Sequence, residues 1–190
     1  MTGGGTSRLI LGLVEMGEPI PRFPEIRDRL SRHLRRYLGP LEIRELRASL
    51  PEDAYSEARG QYLGKALLER LTEVDGRCHR IVGLTREDLY EPGLNFIFGL
   101  ARVNGREAVV SVARLLDEDR DRYLERVVKE VTHELGHTFG LEHCDDPRCV
   151  MSFSSTVMHV DRKSPNFCDR CAQTLLKRVR RWWLERCRKE

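Results

Sequence analysis

Residues 133–143 read HELGHTFGLEH, and this run constrains the fold and the chemistry of the chain more than any other stretch. His133 and His137 are four residues apart, so on a helix both imidazoles project from one face and can reach a single metal ion. Glu134 lies next to the first histidine and stays free of that ion. Apolar residues repeat at three and four positions before the run, which predicts a helix over residues 122–140 with a metal site near its end.

Gly140 separates the two helical histidines from a third candidate ligand, His143. A helix that continued past His137 would carry His143 about 9 Å further away, at a rise of about 1.5 Å per residue. Glycine can adopt the left-handed conformation that ends a helix and reverses the chain. We therefore expect the helix to end at Gly140, so that His143 turns back toward the metal.

Three imidazoles leave the fourth tetrahedral position of a zinc ion open to water, as in catalytic zinc sites. Such an ion lowers the pKa of its water toward about 7 and polarises a substrate carbonyl. Glu134 would take the water proton and pass it to the departing amine. The plainer alternative is a surface helix with a chance HExxH match, which the register of Gly140 and His143 disfavours. The run therefore predicts zinc-dependent hydrolysis of peptide bonds.

Four cysteines follow in two pairs, Cys144 with Cys149 and Cys168 with Cys171. Four thiolates at such spacing are the usual ligands of a closed structural zinc. Neighbouring residues of an extended segment point to opposite sides, so His143 and Cys144 would serve different metals. We predict two zinc ions per chain, the second tying the His143 segment to a C-terminal helix. Free thiols or a redox-active CxxC pair are the alternative.

The composition indicates one globular domain. The 190 residues are 40% hydrophobic and 33% charged, and the 33 basic residues against 30 acidic ones exclude a polyanion-binding surface over the whole molecule. The apolar run at residues 9–14 is too short to span a bilayer and lacks the pattern of a signal peptide, so we expect a cytoplasmic monomer with no membrane partner. Cys78 and Cys187 have no partner at metal-ligand spacing and receive no function.

Hydrophobic periodicity and turn residues predict an α/β pattern. Asn104-Gly105 is a strong hairpin signal between two apolar stretches, and Asp75-Gly76 predicts a turn. Strands are expected at residues 8–14, 41–50 and 79–84, helices at 25–38, 51–74, 122–140 and 169–188, a hairpin over 94–115 and an irregular segment over 141–167.

The run HELGHTFGLEH, with Cys144, Cys149, Val150, Met151 and the CDRC of residues 168–171, resembles the archaemetzincin family of metzincin zinc metallopeptidases. The resemblance covers residues 133–171. It implies peptide or protein substrates and an α/β (α+β) fold with a twisted mixed sheet. Members of the family have been linked to aminopeptidase-like action, but the sequence leaves endopeptidase and aminopeptidase action both open. It also implies an N-terminal subdomain, residues 1–140, that contains the active-site helix 122–140, and a small irregular C-terminal subdomain, residues 141–190, ending in a helix.

The resemblance also implies roles for single residues. His133, His137 and His143 would bind the catalytic zinc, Glu134 would be the general base, and the four paired cysteines would bind the structural zinc. Met151 matches the Met-turn methionine beneath the catalytic metal, and Met158 is a weaker candidate. No tyrosine follows Tyr123, so the oxyanion would depend mainly on zinc. Residues 95–101, or their hairpin partner, would align the substrate by strand addition.

Two other functions compete with peptide hydrolysis. One is a zinc-stabilised binding protein without hydrolytic activity, which the intact Glu134 disfavours. The other is nucleic-acid binding through the basic stretch KRVRRWWLERCRKE, residues 177–190, which contains Trp182 and Trp183. We favour an amphipathic helix that packs one tryptophan and leaves its charges in water, and therefore expect no nucleic-acid partner.

Overall fold

The computed structural model describes residues 8–74 and 77–187, the last of them by its backbone alone. A five-stranded sheet forms its centre, in the spatial order β2 (Leu41–Ala48), β1 (Leu9–Met16), β5 (Arg80–Thr85), β8 (Glu107–Ser111) and β7 (Gly99–Ala101). The first four strands run parallel, and β7 pairs antiparallel with β8 at the edge. This arrangement confirms the mixed sheet expected from the sequence.

Helices cover both faces of the sheet. α1 (Phe23–Leu38) and α3 (Arg120–Thr138) contact each other on one face, and α2 (Gly64–Arg70) lies on the other. Successive side chains of a strand alternate between faces: Leu11 and Leu13 pack in the core with α1 and α3, whereas Val14 and Met16 pack with Leu67 of α2. Each such fully buried aliphatic side chain contributes about 1.5–3 kcal/mol, so the sheet anchors α3 from below.

The helix predicted for residues 51–74 was wrong in its first half. That segment forms a short 3₁₀ turn, the strands β3 (Tyr55–Ser56) and β4 (Gln61–Leu63), and only then α2, followed by a second 3₁₀ turn. Gly60, at φ 64°, closes the turn between the two strands, and its N–H donates to Ser56 O at 2.8 Å. The parallel strand β6 (Leu89–Tyr90) extends this second sheet, so pairing with a distant segment overrides local helix propensity.

The hairpin predicted for residues 94–115 is present, but its strands are shorter than expected. Asn104, at φ 56°, lies in the turn between β7 and β8. Residues 91–98 lie outside the named strands, although Ile97 forms an isolated antiparallel bridge with Leu89. The Arg59 guanidinium donates to Leu94 O at 2.9 Å and to Asn95 O at 3.0 Å, which satisfies backbone groups that no strand partner reaches.

The C-terminal part consists of an irregular stretch, the short helix α4 (Val157–Arg162) and α5 (Asp169–Cys187). The prediction missed α4 because six residues are too few to show a helical period. The Thr156 side chain begins α4 by accepting from the His159 N–H. The division into subdomains at residue 140 stays a prediction, and the turn predicted at residues 75 and 76 lies outside the described residues. None of the described helices combines the length and the apolarity needed to cross a bilayer.

Candidate active site

The helix α3 begins and ends at well-formed caps. The Asp119 carboxylate accepts from the N–H groups of Asp121 and Arg122 at 2.9 and 3.0 Å. At the other end Gly140 has φ 82°, its N–H donates to His137 O at 2.8 Å, and the next N–H, that of residue 141, donates to the carbonyl of residue 136 at 3.1 Å. These two bonds form a Schellman motif, so the last helical residue is 138 rather than the predicted 140, and Gly140 reverses the chain.

The reversal brings three histidines together. His133 Nε2 and His137 Nε2 are 3.1 Å apart, and one ring nitrogen from each of His133, His137 and His143 lies within 4.8 Å of the others. The His143 ring centre is 5.3 Å from that of His133 and 4.9 Å from that of His137. The three residues expected to share a metal ion therefore form one compact group of ligand atoms.

Backbone carbonyls orient two of the three imidazoles. His133 Nδ1 lies 2.8 Å from Val150 O, and His137 Nδ1 lies 2.7 Å from Leu141 O. A carbonyl oxygen can only accept, so each Nδ1 must carry the proton, which leaves the Nε2 lone pairs directed at each other. Burial is the main cause that lowers the pKa of all three histidines, and it favours the neutral form that binds metal. This donor set fits zinc.

Glu134 lies beside the histidines and is almost completely buried, with 5% of its surface exposed. Burial, and next the carboxylate of Glu130, raise the pKa of Glu134 well above its ordinary value, while Lys163 opposes them. A carboxylate with a raised pKa holds a proton near neutral pH more readily than an exposed one, which is the property required of a group that accepts and returns a proton.

The sequence did not predict a buried ion pair behind the site. Lys163 Nζ lies 2.8 Å from Glu130 Oε1, and the two side chains are 0% and 3% exposed. Lys163 Nζ also donates to Ser152 O at 3.5 Å, which connects the segment after α4 to the residues that follow Met151. One signal was available, since Glu130 is an acidic residue one helical turn before Glu134. Nothing in the sequence pairs it with Lys163, 33 positions further along.

Met151 lies beneath α3 and is completely buried. A Cβ atom built at Gly136 would lie 2.5 Å from Met151 Sδ, so the glycine allows the thioether to pack directly against the helix backbone between the two helical histidines. Met158, the weaker candidate for this position, is 66% exposed on α4 and lies away from the core.

A second group of ligand atoms forms next to the first. The sulfur atoms of Cys144, Cys149, Cys168 and Cys171 all lie within 4.8 Å of one another, and all four are free thiols. Cys144 Sγ and Cys168 Sγ are 3.8 Å apart. Burial raises the pKa of Cys149 to about 11, so a nearby positive charge is needed to hold it as a thiolate. Four converging thiols, three of them on buried residues, fit a structural zinc ion.

The histidines open into a cleft with a volume of about 480 Å³. The segment before β7 and β7 itself form one wall, and Phe153 stands opposite with 58% of its surface exposed, its ring centre 5.2 Å from that of His143. Three carboxylates line the cleft, those of Glu91, Glu130 and Glu134, and no lysine or arginine of the described chain does so. The cleft is therefore mainly apolar with an acidic floor.

The remaining residues noted in the sequence lie elsewhere. His159 is on α4, where its Nδ1 accepts from the Ser155 N–H at 3.3 Å, and it does not belong to either ligand group. Cys78 is buried in the core beneath the far face of the sheet, and the side chain of Cys187 lies outside the described residues. Trp182 and Trp183 are half-buried on α5 against His79.

Comparison with known proteins places the fold and the site in a family. The chain matches peptidase family M54 over residues 13–178. The archaemetzincin of Methanopyrus kandleri is 60% identical over 171 residues, which cover 90% of this chain and 98% of that protein. The archaemetzincin of Thermococcus kodakarensis is 46% identical over 142 residues, which cover 70% of this chain and 76% of that protein.

Solved structures agree with these matches. The crystal structure of the M. kandleri archaemetzincin superposes with a TM-score of 0.91 at 57% identity, covering 94% of this chain and 99% of the other. The structure of Archaeoglobus fulgidus archaemetzincin complexed with malonate has a TM-score of 0.76 at 34% identity, and the match covers 87% of this chain and 99% of the other. The chain therefore belongs to peptidase family M54, the archaemetzincins, and is a zinc metallopeptidase that acts on peptides or proteins.

Proposed function

We propose that this metallopeptidase cleaves peptide bonds with a zinc ion held by His133, His137 and His143, and with Glu134 as the general base. The observation that carries the proposal is that one ring nitrogen from each histidine lies within 4.8 Å of the other two. In His133 and His137 the other ring nitrogen is hydrogen-bonded to a backbone carbonyl, which fixes the orientation of the imidazole. When bound, zinc supplies a Lewis acid that acidifies water and polarises a carbonyl group.

Glu134 performs the proton transfers. Its carboxylate takes a proton from the attacking water, and the protonated carboxyl then gives that proton to the amine nitrogen of the leaving group, so one residue serves both steps. Its burial among Glu130 and the histidines favours the protonated form between the two steps. The expected roles of Met151, as the apolar support of the histidines, and Gly140, as the end of the helix, belong to the same proposal.

The edge strand β7 orients the substrate. Within the described chain, β7 pairs with β8 on one side only, and its residues line the cleft. An extended peptide can add to such an edge through backbone hydrogen bonds, which places the scissile carbonyl beside Glu134 without regard to side-chain identity. The predicted segment, residues 95–101, includes β7, and its first residues form the wall of the cleft rather than a strand.

We propose a second zinc ion bound by Cys144, Cys149, Cys168 and Cys171, with a structural role. Cys144 follows the third histidine directly, and its backbone N–H donates to Met151 O at 2.9 Å. A metal clamp at these cysteines ties the His143 segment and the Met151 segment to the start of α5. The count of two ions per chain rests on these two ligand sets.

Metal analysis and a peptide-library assay on the wild type and on Glu134→Gln test the main proposal. We expect about two zinc ions per chain in both proteins, by the ligand count, and hydrolysis by the wild type alone. Glutamine keeps the size of the side chain and removes its basicity, so loss of zinc is not an expected side effect. Equal hydrolysis by both proteins would exclude Glu134 as the base. The predicted monomer is checked by light scattering on the same samples.

An aminopeptidase-like action is the second candidate, and the carboxylate of Glu91 favours it. Glu91 lines the cleft, accepts from the Lys65 N–H at 2.7 Å, and forms no ion pair among the described residues. Such a carboxylate can receive a free α-amino group. Matched peptides with free and acetylated amino termini separate the two modes: an aminopeptidase cleaves only the free form and loses that preference in Glu91→Gln, whereas an endopeptidase cleaves both.

A further inference from the structure

A basic groove lies beside the C-terminal end of α3, on the other side of the β7–β8 turn from the cleft. It consists of two adjoining cavities of about 540 and 680 Å³ that share Arg80, Asn104 and Trp182, and we call their union the basic groove. Its other cations include Lys177, Arg178 and Arg181 of α5. One carboxylate, that of Glu185, lines the groove, and it is paired with Arg181 at 2.7 Å.

Arg80 forms the floor of the basic groove with 6% of its surface exposed. Its guanidinium lies over the rings of Phe139 and Trp182, 4.1 and 5.1 Å from their centres, and donates to Thr138 Oγ1 at 3.1 Å. Within residues 8–74 and 77–187 no carboxylate lies within ion-pair distance of it. Burial lowers the pKa of Arg80 to about 10, and the Glu107 carboxylate, which forms no ion pair with Arg80, opposes this shift only in part.

The basic groove adjoins the catalytic cleft across the β7–β8 turn. Val103 and His137 line the cleft, while the residues that follow them, Asn104 and Thr138, line the groove. The β7–β8 turn and the end of α3, which lie between the cleft and the groove, are joined by a hydrogen bond from the Asn104 N–H to His137 O at 3.1 Å. A peptide that lies along β7 and continues past the β7–β8 turn therefore enters the basic groove.

We propose that the basic groove is an exosite for an acidic segment of a peptide or protein substrate whose scissile bond lies in the cleft. The proposal rests on the peptidase function proposed above. The charged side chains that line the two sites differ: carboxylates and no lysine or arginine line the described part of the cleft, where the proposed zinc would add its own positive charge, whereas guanidinium and ammonium groups dominate the groove. Preferred substrates thus carry uncharged residues around the scissile bond and acidic residues to one side of it.

A peptide fits the basic groove better than a nucleic acid does. Single-stranded nucleic acids are held by bases stacked on free aromatic faces as well as by cations. Trp182, the aromatic residue shared by the two cavities, is already packed against its neighbours. Its ring centre lies 5.2 Å from that of His79 and 4.8 Å from that of Trp183, and the Arg80 guanidinium lies 5.1 Å from it. The groove therefore offers charges along an extended path and no open ring.

Kinetics on matched peptides test the exosite. All peptides share one cleavable core, extended at its amino or its carboxyl end by a run of aspartates or, as the control, of asparagines. We expect the aspartate run at one end to lower KM about five-fold with kcat unchanged, as a few partly exposed ion pairs provide. The effect shrinks as salt is added. Equal KM values for the aspartate and asparagine peptides at both ends would overturn the proposal.

The double variant Arg178→Gln/Arg181→Gln should abolish the preference for aspartate while leaving hydrolysis of the asparagine peptides unchanged. Both arginines are exposed on α5 and outside the core, so the fold is expected to tolerate the change. Arg32→Gln/Arg47→Gln is the matched control, because it removes the same charge from exposed positions on α1 and β2. Loss of the preference in the control as well would show a general effect of net charge and contradict a local exosite.

Binding measured without turnover separates the exosite from the peptidase function. Fluorescence anisotropy of the aspartate peptide on Glu134→Gln should give a Kd about five-fold lower than that of the asparagine peptide. This difference is expected even if the wild type cleaves neither peptide, in which case the peptidase proposal fails and the basic groove still stands as a binding site for acidic peptides. A single-stranded oligonucleotide of matched charge that bound more tightly than the aspartate peptide, and lost affinity in Arg178→Gln/Arg181→Gln, would overturn the proposal in favour of a nucleic-acid site.

Discussion

Gly99 of the edge strand and Glu134 of α3 face each other so closely that a Cβ atom on Gly99 would lie 2.6 Å from Glu134 Oε1. No side chain fits at that distance without moving either the strand or the carboxylate. The strand proposed to orient the substrate and the carboxylate proposed to accept the proton can therefore lie this close only because residue 99 has no side chain.

Replacing Gly99 by alanine is expected to displace the Glu134 carboxylate and to lower kcat by about a hundredfold, the usual cost of a misplacement of about 1 Å at a reacting group. Zinc content should stay at the wild-type value, because the three atoms nearest to a Cβ at residue 99 all belong to Glu134 and none to a histidine. Steady-state kinetics with metal analysis check this. A variant with normal kcat would mean that the carboxylate has room elsewhere; one that lost zinc would mean that the strand supports the metal site itself.

Breaking the Lys163–Glu130 pair should destabilise the protein strongly. Lys163→Met leaves the Glu130 carboxylate buried without its partner, and a loss of about 3–5 kcal/mol in the free energy of unfolding is expected. The double variant Lys163→Met/Glu130→Gln buries no charge at this position and should recover most of that loss. Denaturant unfolding of the two single variants and the double variant measures the coupling, and additive losses would contradict it.

In the metal-free protein, Glu134→Gln should be more stable than the wild type at neutral pH. Burial raises the pKa of Glu134 in the folded protein well above its ordinary value of 4.5. The protonated carboxyl therefore contributes fully to the free energy of unfolding below pH 4.5, and this contribution is lost as the pH rises through the folded-state pKa. Glutamine stays neutral at every pH, so the free energy of unfolding of the variant does not fall for this reason. Unfolding free energies measured over a pH series should diverge from pH 4.5 upward, whereas a difference that is constant with pH would contradict this account.

Replacing Cys171 by serine should remove one zinc ion and lower Tm by roughly 10 °C, because a loss of about 3 kcal/mol has that effect in a domain of this size. His143→Ala is the matched comparison: it should also remove one zinc ion, but with a smaller change in Tm, since the open histidine site does not tie segments together. Metal analysis and calorimetry on both variants check the two roles. Equal falls in Tm would argue against assigning the structural role to the cysteine site alone.

The predictions from sequence succeeded where a residue pattern acts locally. The helical spacing of His133 and His137, the reversing glycine at 140 and the Asn104-Gly105 turn each depend on neighbours within a few residues, and the structure has the helix, the reversal and the hairpin close to the expected positions. The spacing of the cysteines likewise predicted a group that the fold brings together.

The failures have a common cause in contacts between distant parts of the chain. Residues 61–63 form a strand rather than part of a helix because β6, more than twenty residues later, pairs with them. The Lys163–Glu130 pair and the basic groove are likewise assembled from separate elements, and no local pattern in the sequence specifies which of many charged residues meet. Sequence reasoning therefore identified the candidate ligands that the fold brings together and missed the electrostatic environment that surrounds them.

The hydrogen bond from the Asn104 N–H to His137 O links the β7–β8 hairpin to the end of the helix that carries His133 and His137. Because of this link, the hairpin wall cannot swing outward without pulling on the helix terminus. The opposite wall is joined to the same helix, because Val150 O accepts from His133 Nδ1 and Lys163 Nζ connects Ser152 O to Glu130. Both walls thus reach α3 through hydrogen bonds, so a substrate that forces the cleft wider strains the helix that holds two of the candidate metal ligands.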